Sequence, residues 1–234
     1  MAFLLPRVLT LNWIEMPGID SLSADDLSAA LRCELARGLP GRVAHRRMAP
    51  ELAYGRHYGP LPDDVRRAAV LVALNPAVGG WSIPAMLRPG TMKAHAGQVA
   101  LPGGLVEADE TPVQAALREL EEELGCLQAG IEIIGELTPV FVFISNFQIT
   151  PLVAVCHQPL VFRPNPVEVA EVVEIGVHDL LDPAPRESHL IRRVDLVFRA
   201  PHFAIAAQRI WGATSLILAE FAELAGRALA DASG

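Results

Sequence analysis

The spacing of apolar positions divides the 234-residue chain into short β-type runs and three helical stretches. The first helix is expected in "SADDLSAALRCELARGL", where Ser23 supplies an N-cap, acidic residues fill the first turn and Gly38 ends the pattern. Residues 39–64 are rich in Pro, Gly and Arg and read as an ordered linker or a partner-facing arm. From Arg66 to Pro76, "RRAAVLVALNP" is a continuous apolar run between turn residues, the pattern of a central strand buried on both faces. Shorter strands are expected around "WSIPAMLR", "GQVALPG", "IEIIGELTPV", "FQITPLVAVC" and "EVVEIGV", with a helical turn at "HDLLD". The stretch "RIWGATSLILAEFAELAGRALA" reads as a long closing helix, with Leu216, Ala219, Glu220 and Glu223 at helical spacing. Mixed strands and helices imply an α+β fold, an α/β/α sandwich, with an N-terminal extension over 1–64 and a domain over 65–234.

The second helix carries the chemistry. In "ETPVQAALRELEEELGC", Thr111 is the N-cap, Pro112 takes the first helical position and Gln114 completes a capping box, while Gly125 is the stop. At roughly 100° per residue, Glu119, Glu122 and Glu123 share an arc of about 100°, Ala116, Leu117, Leu120 and Leu124 occupy the next, and Glu121 points away. One meaning of such a run is a solvated acidic face. Acidic residues are disfavoured near a helix C-terminus, however, and like charges four apart repel, with Arg118 positioned to compensate only one of them. Three clustered carboxylates instead suit a hard divalent cation such as Mg²⁺ or Mn²⁺.

Composition narrows the partners. With 51% apolar residues and a formal charge of −8, the chain has ample core and no basic surface for nucleic acid, so a polyanionic substrate needs metals or local arginines. Lys93 is the sole lysine among 19 basic residues. Cys33, Cys126 and Cys156 lie far apart without metal or disulfide spacing, and no apolar run is long enough for a membrane span. These features are those of a cytoplasmic protein with no membrane partner. The N-terminal arm and exposed strands favour a homodimer.

Gly104, Glu110, Arg118, Glu119, Leu120, Glu122, Glu123, Gly125 and Cys126 fit every defined position of G-x5-E-x7-R-E-U-x-E-E-x-G-U, where U is bulky and apolar. In this the chain resembles the Nudix hydrolases, over about Arg66 to Asp182. The resemblance implies a mixed central sheet flanked by helices and hydrolysis of a nucleoside diphosphate linked to another moiety, with divalent cations bound by the box. It further implies Glu122 and Glu123 as principal metal ligands, Glu119 as a further ligand or the base that activates water, and Gly103 as a carbonyl ligand. By the same likeness, Arg118 orients a box glutamate and Glu110 is its structural partner. Glu168, in "PNPVEVAEVVEIGV", occupies the region of a downstream acid that joins the metal site; its alternative is a surface carboxylate before a strand.

Upstream, "LRPGTMKAHAGQVALPGG" is similar to the signature of the coenzyme A diphosphatase subgroup, L-L-T-x-R-[SA]-x3-R-x3-G-x3-F-P-G-G. Arg88, Gly97, Pro102, Gly103 and Gly104 match, and His95 and Gln98 fall in a typical "HAGQVA". Arg88, Lys93, His95, Gln98 and Gly104 are therefore the implied substrate contacts, and coenzyme A or an acyl derivative the implied substrate. Pro84, Ala85, Met86, Pro89, Lys93 and Leu101 depart from the signature, and Lys93 offers a point charge where the family has a bidentate fork. ADP-ribose, NADH or a dinucleoside polyphosphate is the alternative substrate, and a non-catalytic binding protein the alternative class. His95 also reads as a structural residue, Trp211 as core packing for the last helix with a base-stacking platform as its alternative, and Arg192 and Arg193 as solvated loop arginines with a 3'-phosphate contact as theirs.

Overall fold

The computed structural model describes residues 18–53, 55–92, 95–182, 186–193 and 196–232. Strand β1 (Arg66–Ala77) organises the sheet. Its first nine residues run parallel to β7 (Phe147–Cys156), pairing Arg66 with Phe147 through Leu74 with Val155. Its other edge takes β4 (Gly103–Leu105) antiparallel at Ala68 to Val70, and its last residues turn back into β2 (Gly80–Leu87). β3 (Val99–Ala100) and β8 (Glu171–Gly176) flank β2, while β5 (Ile131–Glu136) and β6 (Val140–Val142) pair with β7, making an eight-stranded mixed sheet among the described residues.

Because side chains alternate across a strand, β1 and β7 feed two cores. Ala69, Leu71, Ala73, Leu152 and Ala154 face α3 (Pro112–Leu124) and bury Ala115, Ala116, Leu120 and Leu124. Val72, Leu74, Val153 and Val155 face the opposite layer, built from α1 (Ala24–Arg37), α4 (Val177–Leu181) and α5 (Ala213–Ala232). The α/β/α sandwich expected from the pattern is therefore present, with β1 buried on both faces.

The capping residues hold where the sequence placed them. Ser23 and Gly38 bound α1. Thr111 and Gln114 form the reciprocal capping box of α3, and Gly125 closes it at φ 65°. The described residues of 39–64 include a short helix, α2 (Arg42–Arg46), and a 3₁₀ turn at Arg56–Tyr58, with Ala44, His45, Met48 and Ala53 buried.

Two expectations change. The closing helix begins at Ala213, because Gln208–Ile210 form β11 and Gly212 intervenes in the left-handed region. Arg192 and Arg193 lie not in a loop but on β9 (Glu187–Arg193), which pairs with β10 (Leu196–Ile205) and, through it, β11 in a separate three-stranded sheet. Trp211 is half-buried and edge-on to His189 ahead of α5, a packing position. No helix among the described residues is long and apolar enough to cross a membrane.

Candidate active site

The site forms where the C-terminal half of α3 meets β4 and the end of β2. Packing Ala115, Ala116 and Leu120 on the sheet turns the neighbouring stripe, Glu119 and Glu123, toward β4. Glu123 is 3% exposed, and its Oε2 accepts from the Gly103 amide at 3.0 Å. Gly104 lies against Glu119: a Cβ there would collide with the Glu119 carboxylate. Of the pair Gly103 and Gly104, the structure thus brings an amide, not a carbonyl, onto a box glutamate and uses the second glycine for close approach.

Arg118 does more than compensate one carboxylate. Its Nε and Nη2 donate to the two oxygens of Glu110 at 2.7 and 3.0 Å, Nη1 donates to Glu119 at 2.9 Å and Glu122 at 3.0 Å, and Nη2 also reaches the Leu105 carbonyl. The bidentate bond to Glu110 leads the effects that hold the guanidinium more firmly protonated and pulls Glu110 below the usual carboxylate range. The fork ties the turn before α3 to the working face of the helix.

The loop over 163–170 supplies the remaining acid. Arg163 N and Asn165 N donate to the Leu124 and Glu123 carbonyls at 2.7 and 2.8 Å, satisfying orphan acceptors at the end of α3. A Cβ on Gly125 would strike the Arg163 backbone, so that glycine is required by approach as well as by its positive φ. Asn165 Oδ1 accepts from Val167 N, and Ala170 N donates to Leu87 O, fastening the loop to β2 beside Arg88. Glu168 is thereby set close enough to repel both Glu119 and Glu123. Asn165 and the buried Asn75, whose Oδ1 accepts from Leu160 N at 2.8 Å, are positioning residues that the sequence reading missed. The turn composition "PNP" was the available signal for Asn165.

Arg88 is half-buried near Glu123, and its buried Nε has no hydrogen-bond partner among the described residues. Its backbone closes the loop that follows, donating to Gln98 O and accepting from Gly97 N. His95, at φ 56°, bonds through Nδ1 to Gln98 Oε1 at 3.0 Å on an exposed turn. Lys93 lies outside the described residues.

Electrostatically the cluster is short of positive charge. Desolvation pushes the Glu123 carboxyl up to about 8, opposed by the Gly103 amide and reinforced by Glu119; burial also raises Glu119. No three of these acids converge on a preformed chelate among the described residues, since Glu119 and Glu122 are turned onto Arg118. The donor set nonetheless fits Mg²⁺ or Mn²⁺: Glu119, Glu122, Glu123 and Glu168 offer hard oxygens alone, and their crowding is what a divalent ion relieves.

The NUDIX domain profile matches residues 65–194, which include all of these groups. The chain belongs to the Nudix family. The Nudix hydrolase NudL of Cronobacter sakazakii is 35% identical over 67% of this chain and 81% of the relative, and that of Photorhabdus laumondii 30% identical over 70% and 87%. Solved structures similar to it include a Burkholderia pseudomallei MutT NUDIX hydrolase, at 18% identity over 66% of this chain and 96% of that one, with a TM-score of 0.43. A Caenorhabditis elegans Ap4A hydrolase aligns at 19% identity over 49% and 83%, with a TM-score of 0.42. As a Nudix hydrolase, the protein cleaves a phosphoric anhydride bond in a nucleoside diphosphate derivative.

Proposed function

We propose that this Nudix hydrolase cleaves the diphosphate of coenzyme A or an acyl-CoA, giving 3',5'-ADP and the 4'-phosphopantetheine product, with Mg²⁺ or Mn²⁺ held by Glu119, Glu122, Glu123 and Glu168. The observation that carries the reading is Arg88: a matching signature arginine beside buried Glu123, with an unpartnered buried Nε. A divalent ion bound there would neutralise the diphosphate and activate the attacking water. Arg118 holds Glu119 and Glu122 in register for it, and Glu119 serves as ligand or as proton acceptor. Arg88 grips the diphosphate, while His95, Gln98 and Lys93 contact the remainder of the substrate and Gly104 leaves the space for Glu119. The Gly103 carbonyl is assigned as a further metal ligand.

A second reading, hydrolysis of ADP-ribose, NADH or a dinucleoside polyphosphate, is favoured by one feature: Pro89 denies the signature loop a backbone donor next to Arg88. We take residues 65–234 as the catalytic domain and 1–64 as its extension, in a cytoplasmic enzyme; the three free cysteines support that compartment. Leu190, Leu196 and Val197, each more than half exposed on β9 and β10, support a homodimer, which light scattering tests.

Product chromatography after incubation with CoA, acyl-CoA, NADH, ADP-ribose and diadenosine polyphosphate in Mn²⁺ decides the substrate. Phosphopantetheine release is expected, and untouched CoA beside cleaved ADP-ribose would exclude the subgroup. Glu122→Gln is expected to abolish turnover with an unchanged melting temperature, because Glu122 is an exposed side chain at 57%. Full activity in that variant would remove the metal assignment.

A further inference from the structure

On the α3 face of the sheet, two cavities of about 670 and 210 Å³ adjoin at Gln148, which lines both; neither is lined by Glu119, Glu122 or Glu123. The larger one is walled by Arg66, Arg67, the box turn from Leu105 to Glu110, and Thr150. The smaller is closed by the N-terminal extension, through Arg42, His57 and Tyr58, against Phe141. Meeting at Gln148, the two make one trough along the sheet, bounded by the box turn at the larger end and by the extension at the smaller.

Its ends differ in chemistry. Arg67 is exposed, and its guanidinium has no ion pair or hydrogen bond among the described residues. Arg66 lies 4.0 Å over the Phe147 ring, so it adds charge with its hydrogen bonding partly committed to Ser145 O. Of the two acids in that wall, Glu110 is held by Arg118, leaving Glu107 as the unneutralised one. At the other end, His57 is 8% exposed, and its Nδ1 lies 3.2 Å from Phe141 O, which accepts. Nδ1 therefore carries the hydrogen, and Nε2 presents a lone pair with no partner among the described residues. Burial favours that neutral form. Phe141 and Tyr58, the latter capped by Arg42 at 4.5 Å, supply flat apolar surface.

Strand register sets the span. Arg67 pairs with Gln148, and Gln148 with Phe141, so the three stand in one row across β1, β7 and β6. At roughly 4.8 Å per strand, the Arg67 and Phe141 backbones are about 10 Å apart, a span that an extended nucleoside monophosphate covers from its phosphate to the far edge of its base.

We propose that this trough is a second binding site, separate from the metal cluster, for a nucleoside monophosphate whose phosphate pairs with Arg67 and whose base donates an N–H to His57 Nε2. The fit joins an unpaired guanidinium, two strands from Phe141, to an unpaired buried acceptor on the histidine that bonds Phe141, and it explains why an acidic chain concentrates Arg42, Arg66 and Arg67 there.

Calorimetric titration of the full chain with AMP in EDTA tests it, since the absent divalent ion disables phosphate binding at the box. One saturable site is expected. Arg67→Ala should weaken it at least roughly tenfold, consistent with loss of a charge-assisted contact, with unchanged circular dichroism. Adenosine and inorganic phosphate should each bind more weakly than AMP, and Arg88→Ala should bind AMP as the parent does. The site is refuted by no saturation at millimolar AMP, by parental affinity in Arg67→Ala, or by loss of binding in Arg88→Ala.

Discussion

Two adjacent glycines show how differently single atoms are constrained at this site. A Cβ on Gly103 would collide with the Ala69 carbonyl and the Val70 backbone, at φ 150°. The nearest atoms to a Cβ on Gly104 belong instead to the carboxylate end of Glu119, the far end of a flexible side chain that can move aside at the expense of its bond to Arg118. Gly103→Ala is therefore expected to cost at least about 2 kcal/mol in denaturant unfolding, by overpacking and backbone strain. Gly104→Ala should unfold near the parental midpoint yet lose roughly a hundredfold in kcat, because a displaced Glu119 spoils reacting geometry. Equal loss of stability in both variants would show that Gly104 is not there to admit Glu119. Much of this scale was legible: the box named Glu119, Glu122 and Glu123, and helical phase separated them from Glu121, whose side chain accepts from Gln128 Nε2 away from that cluster. What phase could not give was the reach of Arg118 back to Glu110, because that acid precedes the helix and its direction is set by the turn from Glu107. Nor could it show which carboxylate would be buried, since Glu122 and Glu123 differ in exposure only through β4 and the loop at 163–170.

Elements bounded by their own caps or carrying an apolar strand pattern were read correctly, and the exposed hairpin of β9 and β10 was not. α1 and α3 carry Ser23, Thr111, Gly38 and Gly125 as local signals, and β1 its long apolar run. Arg192 and Arg193 read as loop arginines, and β10 was not anticipated, because the exposed residues and scattered arginines of β9 and β10 lack the alternation of a sheet with a buried face. Their pairing is a hairpin, satisfied by backbone bonds that leave no pattern in the side chains. Contact between α1 and β5 likewise depends on residues a hundred positions apart. Glu132 accepts from Arg32 Nη2 and Ser28 Oγ at 2.8 Å and contacts His157 Nε2 at 3.0 Å. The Arg32 bond leads the effects that hold its carboxyl down at about 2. A carboxyl depressed in the folded state stabilises fully above its unfolded value, near 4.5, and that contribution disappears as pH falls toward 2. The urea midpoint of the parent should therefore exceed that of Glu132→Gln at pH 6, with the gap narrowing once pH drops below about 4.5. A gap independent of pH between 6 and 3.5 would mean that the ionised carboxylate does not fasten α1 to the sheet.

At the scale of the molecule, the N-terminal extension and the C-terminal helix complete one another around a buried acid. Glu220, on α5, is 0% exposed and accepts from His45 Nε2 at 2.9 Å, the Gly41 amide at 2.9 Å, and both the amide and hydroxyl of Thr138. Burial works to raise its pKa, yet these donors outweigh burial and hold it below the ordinary value. Two of the four come from residues 41–45, so the extension is part of what allows a carboxylate to stand in the core. It also contributes apolar surface: Ile19, Leu27, Leu31 and Met48 belong to the same core cluster as Phe221 and Leu224. Burying each such side chain stabilises by about 1.5–3 kcal/mol, so losing several exceeds the net stability of a typical domain. Glu220→Ala in the full chain strands the four donors and leaves a small cavity while keeping the apolar surface of the extension, and should lower unfolding free energy by about 3–5 kcal/mol with a cooperative transition. A chain beginning at residue 65 loses both the donors and the apolar surface. It is expected to show no cooperative thermal transition, even though it holds every box glutamate. Cooperative melting of that shorter chain at the full-length temperature would instead make the extension an appendage, and Glu220 an acid satisfied by Thr138 alone.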